Sequence, residues 1–169
     1  ILFLAIFANA FIIHAFGYAC FLLILLALGV KLPLLALGGL GVMLLLGICA
    51  LGISFLLAVL NVFFRDVSQF LTVVLQLLFW FNPIVYVKEI LMTPGDPQGT
   101  GWNVKEFGAA VMLCNPIERF ISLIQRLIGA VDYHPTGTDL GIIFLFPAVC
   151  LAVGLLIFKK NLPEIRDAI

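Results

Sequence analysis

The sequence predicts an all-α polytopic membrane protein, with four transmembrane helices and a re-entrant helical hairpin before the last one. Hydrophobic residues make up 64% of the 169 residues and charged residues 11%, whereas an ordinary soluble domain is nearer one half and one quarter. Several apolar runs also approach or exceed the roughly 20 residues that a helix needs to cross a hydrocarbon core of about 30 Å. We interpret the chain, 1–169, as a single transmembrane domain.

The first predicted span ends where Lys31 and Pro33 interrupt an apolar run, and the last ends at the pair Lys159 and Lys160. Counting apolar runs between such breaks gives four spans, at about 5–29, 34–60, 70–87 and 140–158. The chain begins at Ile1 inside an apolar run, without an initiating Met. We therefore expect it to be N-terminally incomplete.

The glycines of the second span form a small-residue face along which another helix could approach closely. Packing within one subunit and a seam between two subunits are both open. The residues are Gly38, Gly39, Gly41, Gly47 and Gly52, with Ala50 and Ser54.

The segment 61–70, NVFFRDVSQF, places Arg65 and Asp66 in a tight turn between the second and third predicted spans. The pair could simply mark the membrane interface. Alternatively, Phe63, Phe64 and Gln69 would make it an aromatic-anchored polar surface for a soluble partner.

Aromatic residues crowd the outer end of the third span, at Phe79, Trp80, Phe81 and Tyr86. They could form an aromatic belt at the headgroup level. They could also line a channel. Both interpretations can hold together, because only one stripe of a helix can face a pore.

Residues 108–130 are apolar at helical spacing but carry Pro116, Glu118, Arg119 and Arg126, which is too many charges for a lipid-facing span. A re-entrant or interfacial helix pair fits better, because irregular backbone is tolerated at membrane depth only where protein or water covers it.

The cationic residues do not by themselves orient the chain in the membrane. Lys159 and Lys160 lie at the very end of a span, where the bias toward the cytoplasm is strongest, and this favours a cytoplasmic location for the Arg65 side. Four cations fall on that side and five on the other: Arg65, Lys159, Lys160 and Arg166 against Lys31, Lys88, Lys105, Arg119 and Arg126.

The composition and motifs exclude several classes of function. A formal net charge of zero argues against nucleic-acid binding, and without a GxxxxGK[ST] loop the chain has no phosphate-binding motif for ATP. His14 and His134 belong to no ligand or nucleophile motif. The four cysteines (Cys20, Cys49, Cys114 and Cys150) are widely separated in apolar surroundings. We expect no catalytic residue, no metal site and no cofactor.

Two segments, LNVFFRDVSQFLTVVLQLLFWFNPIVY at 60–86 and NPIERFISLIQRLI at 115–128, resemble the C-terminal part of the ABC-2 type permeases that export O-antigen, capsule and teichoic acid. The resemblance covers about 34–160. Relatives often have threonine before the proline of the Pro-Ile-Tyr cluster, where this chain has Asn82.

The resemblance implies a transport permease of the cell inner membrane and not an enzyme. Its expected partners are an ATP-binding subunit, a second permease copy in a homodimer, membrane lipids and a glycan or lipid-linked glycan, such as a lipopolysaccharide precursor. A drug or lipid exporter of the same ABC-2 type is the alternative. The resemblance places the Arg65–Asp66 turn at the cytoplasmic side, near the ATPase.

By the same resemblance, 108–130 forms the helices of the exit gate, with Asn115, Pro116, Glu118, Arg119 and Arg126 as its site residues. Charges in the outer leaflet must be paired or wetted, because an unpaired one costs about 2.5 kcal/mol or more. Arg119 and Arg126 are seven residues apart and share a helical face, and Glu118 is the nearest acidic candidate to neutralise them. The face could bind acidic groups of a passing glycan, or pair locally to fix the hairpin.

Overall fold

A computed structural model describes residues 2–64, 66–82, 115–132 and 134–167. In this part of the chain the secondary structure is helical, without strands, which confirms the predicted all-α class. The helices are α1 (Leu2–Ala27), a short 3-10 helix (Leu34–Gly38), α2 (Gly39–Phe63), α3 (Val67–Phe81), α4 (Pro116–Leu127), α5 (Gly137–Lys160) and α6 (Leu162–Asp167).

Three of these helices are long and apolar enough to cross a membrane: α1, the 3-10 helix with α2, and α5. They contain 26, 30 and 24 residues, against about 20 needed for a hydrocarbon core. Large apolar side chains, such as Leu4, Phe16 and Leu156, remain exposed on their outer faces. The chain is therefore a multi-pass membrane protein whose apolar surface suits lipid.

The third predicted span, at about 70–87, is described only as far as Asn82. Helix α3 has 15 residues and ends at Phe81, whereas the predicted span continued to 87. Asn82 is already extended (φ −88°, ψ 139°), because the residue before a proline, here Pro83, is pushed out of the helical region. At 1.5 Å per residue, α3 covers about 22 Å. Residues 83–87 lie outside the described part of the chain.

The core of the bundle is the crossing of α2 and α5, which make the most extensive contact between any two described helices. Gly52 and Gly154 permit it: a Cβ on either residue would collide with backbone atoms of the opposite helix. Close backbone approach through small residues is the usual means of helix association in membranes. Gly39 and Gly47 similarly lie against Tyr18 and Phe7 of α1. Gly39, Gly47 and Gly52 of the predicted small-residue face thus pack within one subunit.

The two ends of the bundle differ in composition. At one end, the rings of Phe3, Phe55 and Phe158 join α1, α2 and α5, with centroids 4.7–5.5 Å apart. Asp66 lies beyond the end of α2, and the lysine pair closes α5, so these charges share this end.

At the opposite end, α1 stops at a left-handed Gly29 (φ +79°) and the chain turns into the 3-10 helix. The Tyr18 hydroxyl donates a 2.7 Å hydrogen bond to the Ala36 carbonyl and fixes that segment against α1. Helix α4 packs on the 3-10 helix, α2 and α5 at this end, far from Asp66.

Candidate functional site

The sequence at the start of helix α4 contains residues that favour a helix N-terminus. The Asn115 side-chain oxygen accepts a 3.0 Å hydrogen bond from the Ile117 amide, Pro116 occupies the first helical turn, and Glu118 follows as an acidic residue near the positive end of the helix dipole. Asn115 also donates a 2.7 Å hydrogen bond to Asn82. This contact ties the end of α3 to the start of α4.

Helix α4 ends at Leu127 after 12 residues, and Gly129 follows its cap with a φ of +78°, in the left-handed region that glycine favours. The amides of Gly129 and Ala130 bond back to the carbonyls of Arg126 and Gln125 at 2.9 Å, as in a Schellman motif. Twelve residues reach about 18 Å, too short to span the membrane. The described part of the predicted re-entrant segment is therefore one short amphipathic helix; 108–114 lie outside the described residues.

The most buried charged side chains in the described chain are those of Glu118, Arg119 and Asp139. Together with the hydroxyl of Ser122 they form a cluster, which we call the ion cluster. Arg119 Nη1 donates to Glu118 Oε2 at 2.8 Å, and Arg119 Nε lies 3.0 Å from Asp139 Oδ1. Ser122 Oγ donates to Glu118 Oε1 at 2.7 Å. Side-chain exposures are 5% for Glu118, 18% for Arg119 and 11% for Asp139, so these charges interact with little screening by water.

Asp139 reaches the ion cluster from the first turn of α5, where it also completes the helix cap. Its Oδ2 accepts hydrogen bonds from the Thr136 amide (3.0 Å) and hydroxyl (2.8 Å), while the Asp139 amide donates to Thr136 Oγ1 at 3.3 Å. This reciprocal pair is a capping box. It holds one carboxylate oxygen and leaves the other, Oδ1, toward Arg119.

The contact between Arg119 and Asp139 is ionic in character. Arg119 Nε is buried and its N–H is not aligned for a hydrogen bond with any described residue, although the atom lies at ion-pair distance from Asp139. A contact of this kind depends on charge more than on direction. It is therefore sensitive to removal of either charge.

Arg126 belongs to a different environment from Arg119. Its Nη1 lies 3.1 Å from Asp132 Oδ1, and His134 Nε2 lies 3.3 Å from the same oxygen. The side chains of Arg126 and Asp132 are 35% and 87% exposed. Pairing of Arg126 with Asp132, in the turn after α4, was not predicted from the sequence.

A groove of about 600 Å³ opens between the start of α4 and one face of α5. Its polar positions, Asn115, Arg119 and Thr138, lie near the helix starts, and apolar residues of α5 continue the wall. It is lined by Asn115, Pro116, Arg119, Thr138, Gly141, Ile142, Leu145, Phe146 and Val149.

The predicted channel aromatics Phe79, Trp80 and Phe81 lie at the end of α3, which the bond between Asn82 and Asn115 ties to the start of α4. Phe79 and Trp80 are 52% and 59% exposed, and their rings meet edge to face with centroids 6.0 Å apart. Phe81 is the last residue of α3, and Tyr86 lies outside the described residues. Their assignment to a channel or to an aromatic belt stays a prediction.

The predicted coupling turn is described only at Asp66, since Arg65 lies outside the described residues. Asp66 is exposed and precedes α3, where its carbonyl accepts from the amides of Gln69 and Phe70 at 3.1 Å. Its carboxylate makes no capping hydrogen bond. The acidic side chain is thus exposed between α2 and α3.

Two members of the ion cluster were missed in the sequence. Asp139 lies one residue before the predicted start of the last span, but the spacing of Thr136 and Asp139 (Thr-x-x-Asp before an apolar run) is a capping-box signal that could have revealed it. Ser122 lies four residues after Glu118, the spacing at which helix side chains meet.

Comparison with known proteins finds two relatives, both named O-antigen export system permease protein RfbA, from Klebsiella pneumoniae. The chain is 28% identical to one over 109 residues, covering 64% of this chain and 36% of the relative. It is 26% identical to the other over 129 residues, covering 76% and 41%. The matched segments thus span about two fifths of these relatives. No protein-family model and no solved structure matches.

Both relatives are named as permeases, which are transport proteins. Together with the several apolar helices, they confirm the resemblance seen in the NVFFRD and NP segments. The chain is a multi-pass membrane protein related to the ABC-2 type permeases of O-antigen export.

Proposed function

We propose that the chain is part of the transmembrane permease subunit of an ABC exporter, which moves a polysaccharide or lipid-linked glycan across the inner membrane. The observation that carries this proposal is the relationship to two O-antigen export permeases. The architecture supports it: a bundle of long apolar helices carries at one end a short helix with buried charges. Such charges are expensive in a membrane and usually mark a pathway.

Helix α4 is the proposed exit gate. It is too short to cross the bilayer, it packs over the ends of α2 and α5, and it borders the groove. A helix held at the mouth of a bundle can obstruct or admit a polymer by a small displacement. In this proposal the ATPase-facing end is the opposite one, where Asp66 lies exposed.

The two arginines of α4 have different proposed roles. Arg119 is enclosed by Glu118 and Asp139, which suits a role in holding the gate. Arg126 makes one exposed ion pair with Asp132, and such pairs contribute about 0–1 kcal/mol. Its guanidinium can therefore exchange Asp132 for a phosphate or acidic sugar of the glycan.

Energy and partners come from outside the described chain in this proposal. ATP hydrolysis belongs to a separate subunit that contacts the Arg65–Asp66 turn, and a second permease copy completes the pathway as a homodimer. Phe79, Trp80, Phe81 and Tyr86 provide apolar ring surfaces for sugars along it. Such surfaces hold a moving polymer without fixing it.

A second candidate is an ABC-2 permease for a lipid. The groove beside α4 favours it, because apolar residues of α5 form most of its wall. A groove of this kind accommodates a hydrocarbon chain, with polar positions at its end for a headgroup. The glycan assignment and the lipid assignment differ in the product that reaches the outer surface.

Complementation distinguishes these candidates. The full reading frame, expressed with its ATPase gene in a strain whose own O-antigen permease is deleted, should restore glycan at the cell surface, measured by antibody labelling of intact cells. An ATPase inactivated in its phosphate-binding loop serves as the control. Normal membrane insertion without any surface glycan, together with increased lipid in the outer leaflet, would replace the glycan proposal with the lipid one.

A further inference from the structure

We propose that Asp139 is a positioning residue that holds α4 against the last membrane helix through Arg119. The role in export rests on the function proposed above, whereas the holding of α4 does not. Asp139 lies on α5, and Arg119 lies on α4, with 3.0 Å between Oδ1 and Nε. In the described part of the chain this is the only ion pair that joins the two helices.

Two further described contacts of Arg119 and Glu118 stay within α4. Arg119 bonds to the adjacent Glu118, and Ser122 bonds to Glu118 from one turn later. These three side chains would travel together if α4 moved. A displacement of α4 from α5 would therefore break the contact with Asp139 and leave these two contacts inside α4 intact.

Asp139 is preorganised for this task by the capping box at the start of α5. Hydrogen bonds from the Thr136 amide and hydroxyl hold Oδ2, which fixes the carboxylate plane and leaves Oδ1 toward Arg119. The carboxylate is largely buried, so water competes weakly for the guanidinium. The start of α5 thus presents a rigid negative group to a movable helix.

Apolar packing supports the contact but does not replace it. Phe120 of α4 and Ile143 of α5 are both fully buried and meet in one cluster with Val42 of α2. Apolar contacts are non-directional and tolerate sliding. The ion pair instead fixes one register of α4 along α5, because it forms only when the two charges coincide.

The substitution Asp139→Asn tests this role with little change of shape. Asparagine can still accept from the Thr136 amide at the cap, but it then presents its NH₂ group to Arg119 and removes the negative charge. The matched control is Asp132→Asn, the same chemical change at the exposed partner of the other arginine of α4. A cysteine at Ile142, in the groove wall, reports the position of α4.

Labelling with N-ethylmaleimide measures that position without any need for transport. In a background with the four native cysteines replaced by alanine, Asp139→Asn should raise the labelling rate at position 142 by roughly fivefold or more, the low end for coupled sites. Asp132→Asn should leave the rate unchanged. In export assays, Asp139→Asn should reduce surface glycan.

A double-mutant cycle shows whether Asp139 acts through Arg119. If it does, the cysteine at position 142 should be labelled no faster in the double variant Arg119→Gln, Asp139→Asn than in Arg119→Gln alone. A labelling rate unaffected by Asp139→Asn overturns the proposal. An Asp139→Asn effect of equal size in the Arg119→Gln background also overturns it, because Asp139 would then act independently of Arg119. Loss of assembled protein in both Asp139→Asn and the double variant overturns it too, because Asp139 would then stabilise only α5.

Discussion

Replacing each arginine of α4 with glutamine should distinguish the buried ion pairs of Arg119 from the exposed ion pair of Arg126. The two side chains lie seven residues apart on one helix, so the variants share chemistry and secondary structure. Arg119 contacts two carboxylates that are 5% and 11% exposed. Arg126 contacts one that is 87% exposed. We expect Arg119→Gln to destabilise the protein and Arg126→Gln to leave its stability nearly unchanged.

The magnitudes follow from burial. Removing one partner of a buried ion pair costs about 3–5 kcal/mol. For Arg119→Gln we expect the low end, about 3 kcal/mol, because Ser122 and Thr136 still donate to the remaining carboxylates. An exposed pair contributes about 0–1 kcal/mol. For a chain of this size, 1 kcal/mol corresponds to about 2–4 °C in Tm, so the expected fall is about 6–12 °C against at most about 4 °C.

The assay is the melting temperature of the detergent-purified protein, taken from the folded peak in size-exclusion chromatography after heating. Both variants should first insert at parental levels, which immunoblots of membranes check. A melting temperature for Arg119→Gln within about 2 °C of the parent's would refute the assignment of a buried, charge-dependent contact. Equal falls in the two variants would show that burial does not distinguish the arginines.

Three further outcomes are expected. Gly154→Ala should lower stability by about 1–3 kcal/mol, because the added Cβ would meet the α2 backbone. Gly41→Ala places its Cβ in open space and should be neutral or raise stability by up to about 1 kcal/mol. The same melting assay compares the two variants, and equal melting temperatures would contradict the close crossing of α2 and α5. Tyr18→Phe removes the bond to the 3-10 helix and should lower stability by about 0.5–1.5 kcal/mol, measured likewise. Arg65→Ala should reduce export with normal insertion; unchanged export makes the residue an interface marker.

Much of the fold could be predicted because membrane-spanning helices are recognisable in a sequence by their length and apolar composition. The first, second and last long helices fall close to the predicted ranges, since charges, prolines and glycines interrupt the apolar runs there. Helix α3 ends at Phe81 although the apolar run continues, because a proline at position 83 restricts Asn82 to extended conformations. Hydropathy alone does not register where a helix stops inside an apolar run.

The candidate site was less predictable. Glu118 and Arg119 are adjacent in the sequence, so their pairing could be anticipated. Asp139 is twenty positions after Arg119 and meets it only because α4 packs on the start of α5. The bond between Asn82 and Asn115 spans 33 positions and likewise depends on tertiary packing. Local periodicity contains no information on which distant polar groups converge.

Reconstituted transport tests the proposed ATP-dependent export of a glycan most directly. Purified permease from the full reading frame and its ATPase would be placed together in lipid vesicles, with radiolabelled lipid-linked glycan in the outer leaflet. The measurement is the ATP-dependent fraction of glycan that becomes protected from an added glycosidase. We expect protection that needs both ATP and the permease and that falls in the Asp139→Asn variant. Stimulated ATP hydrolysis without any protected glycan, for a permease that is folded and assembled, would contradict it.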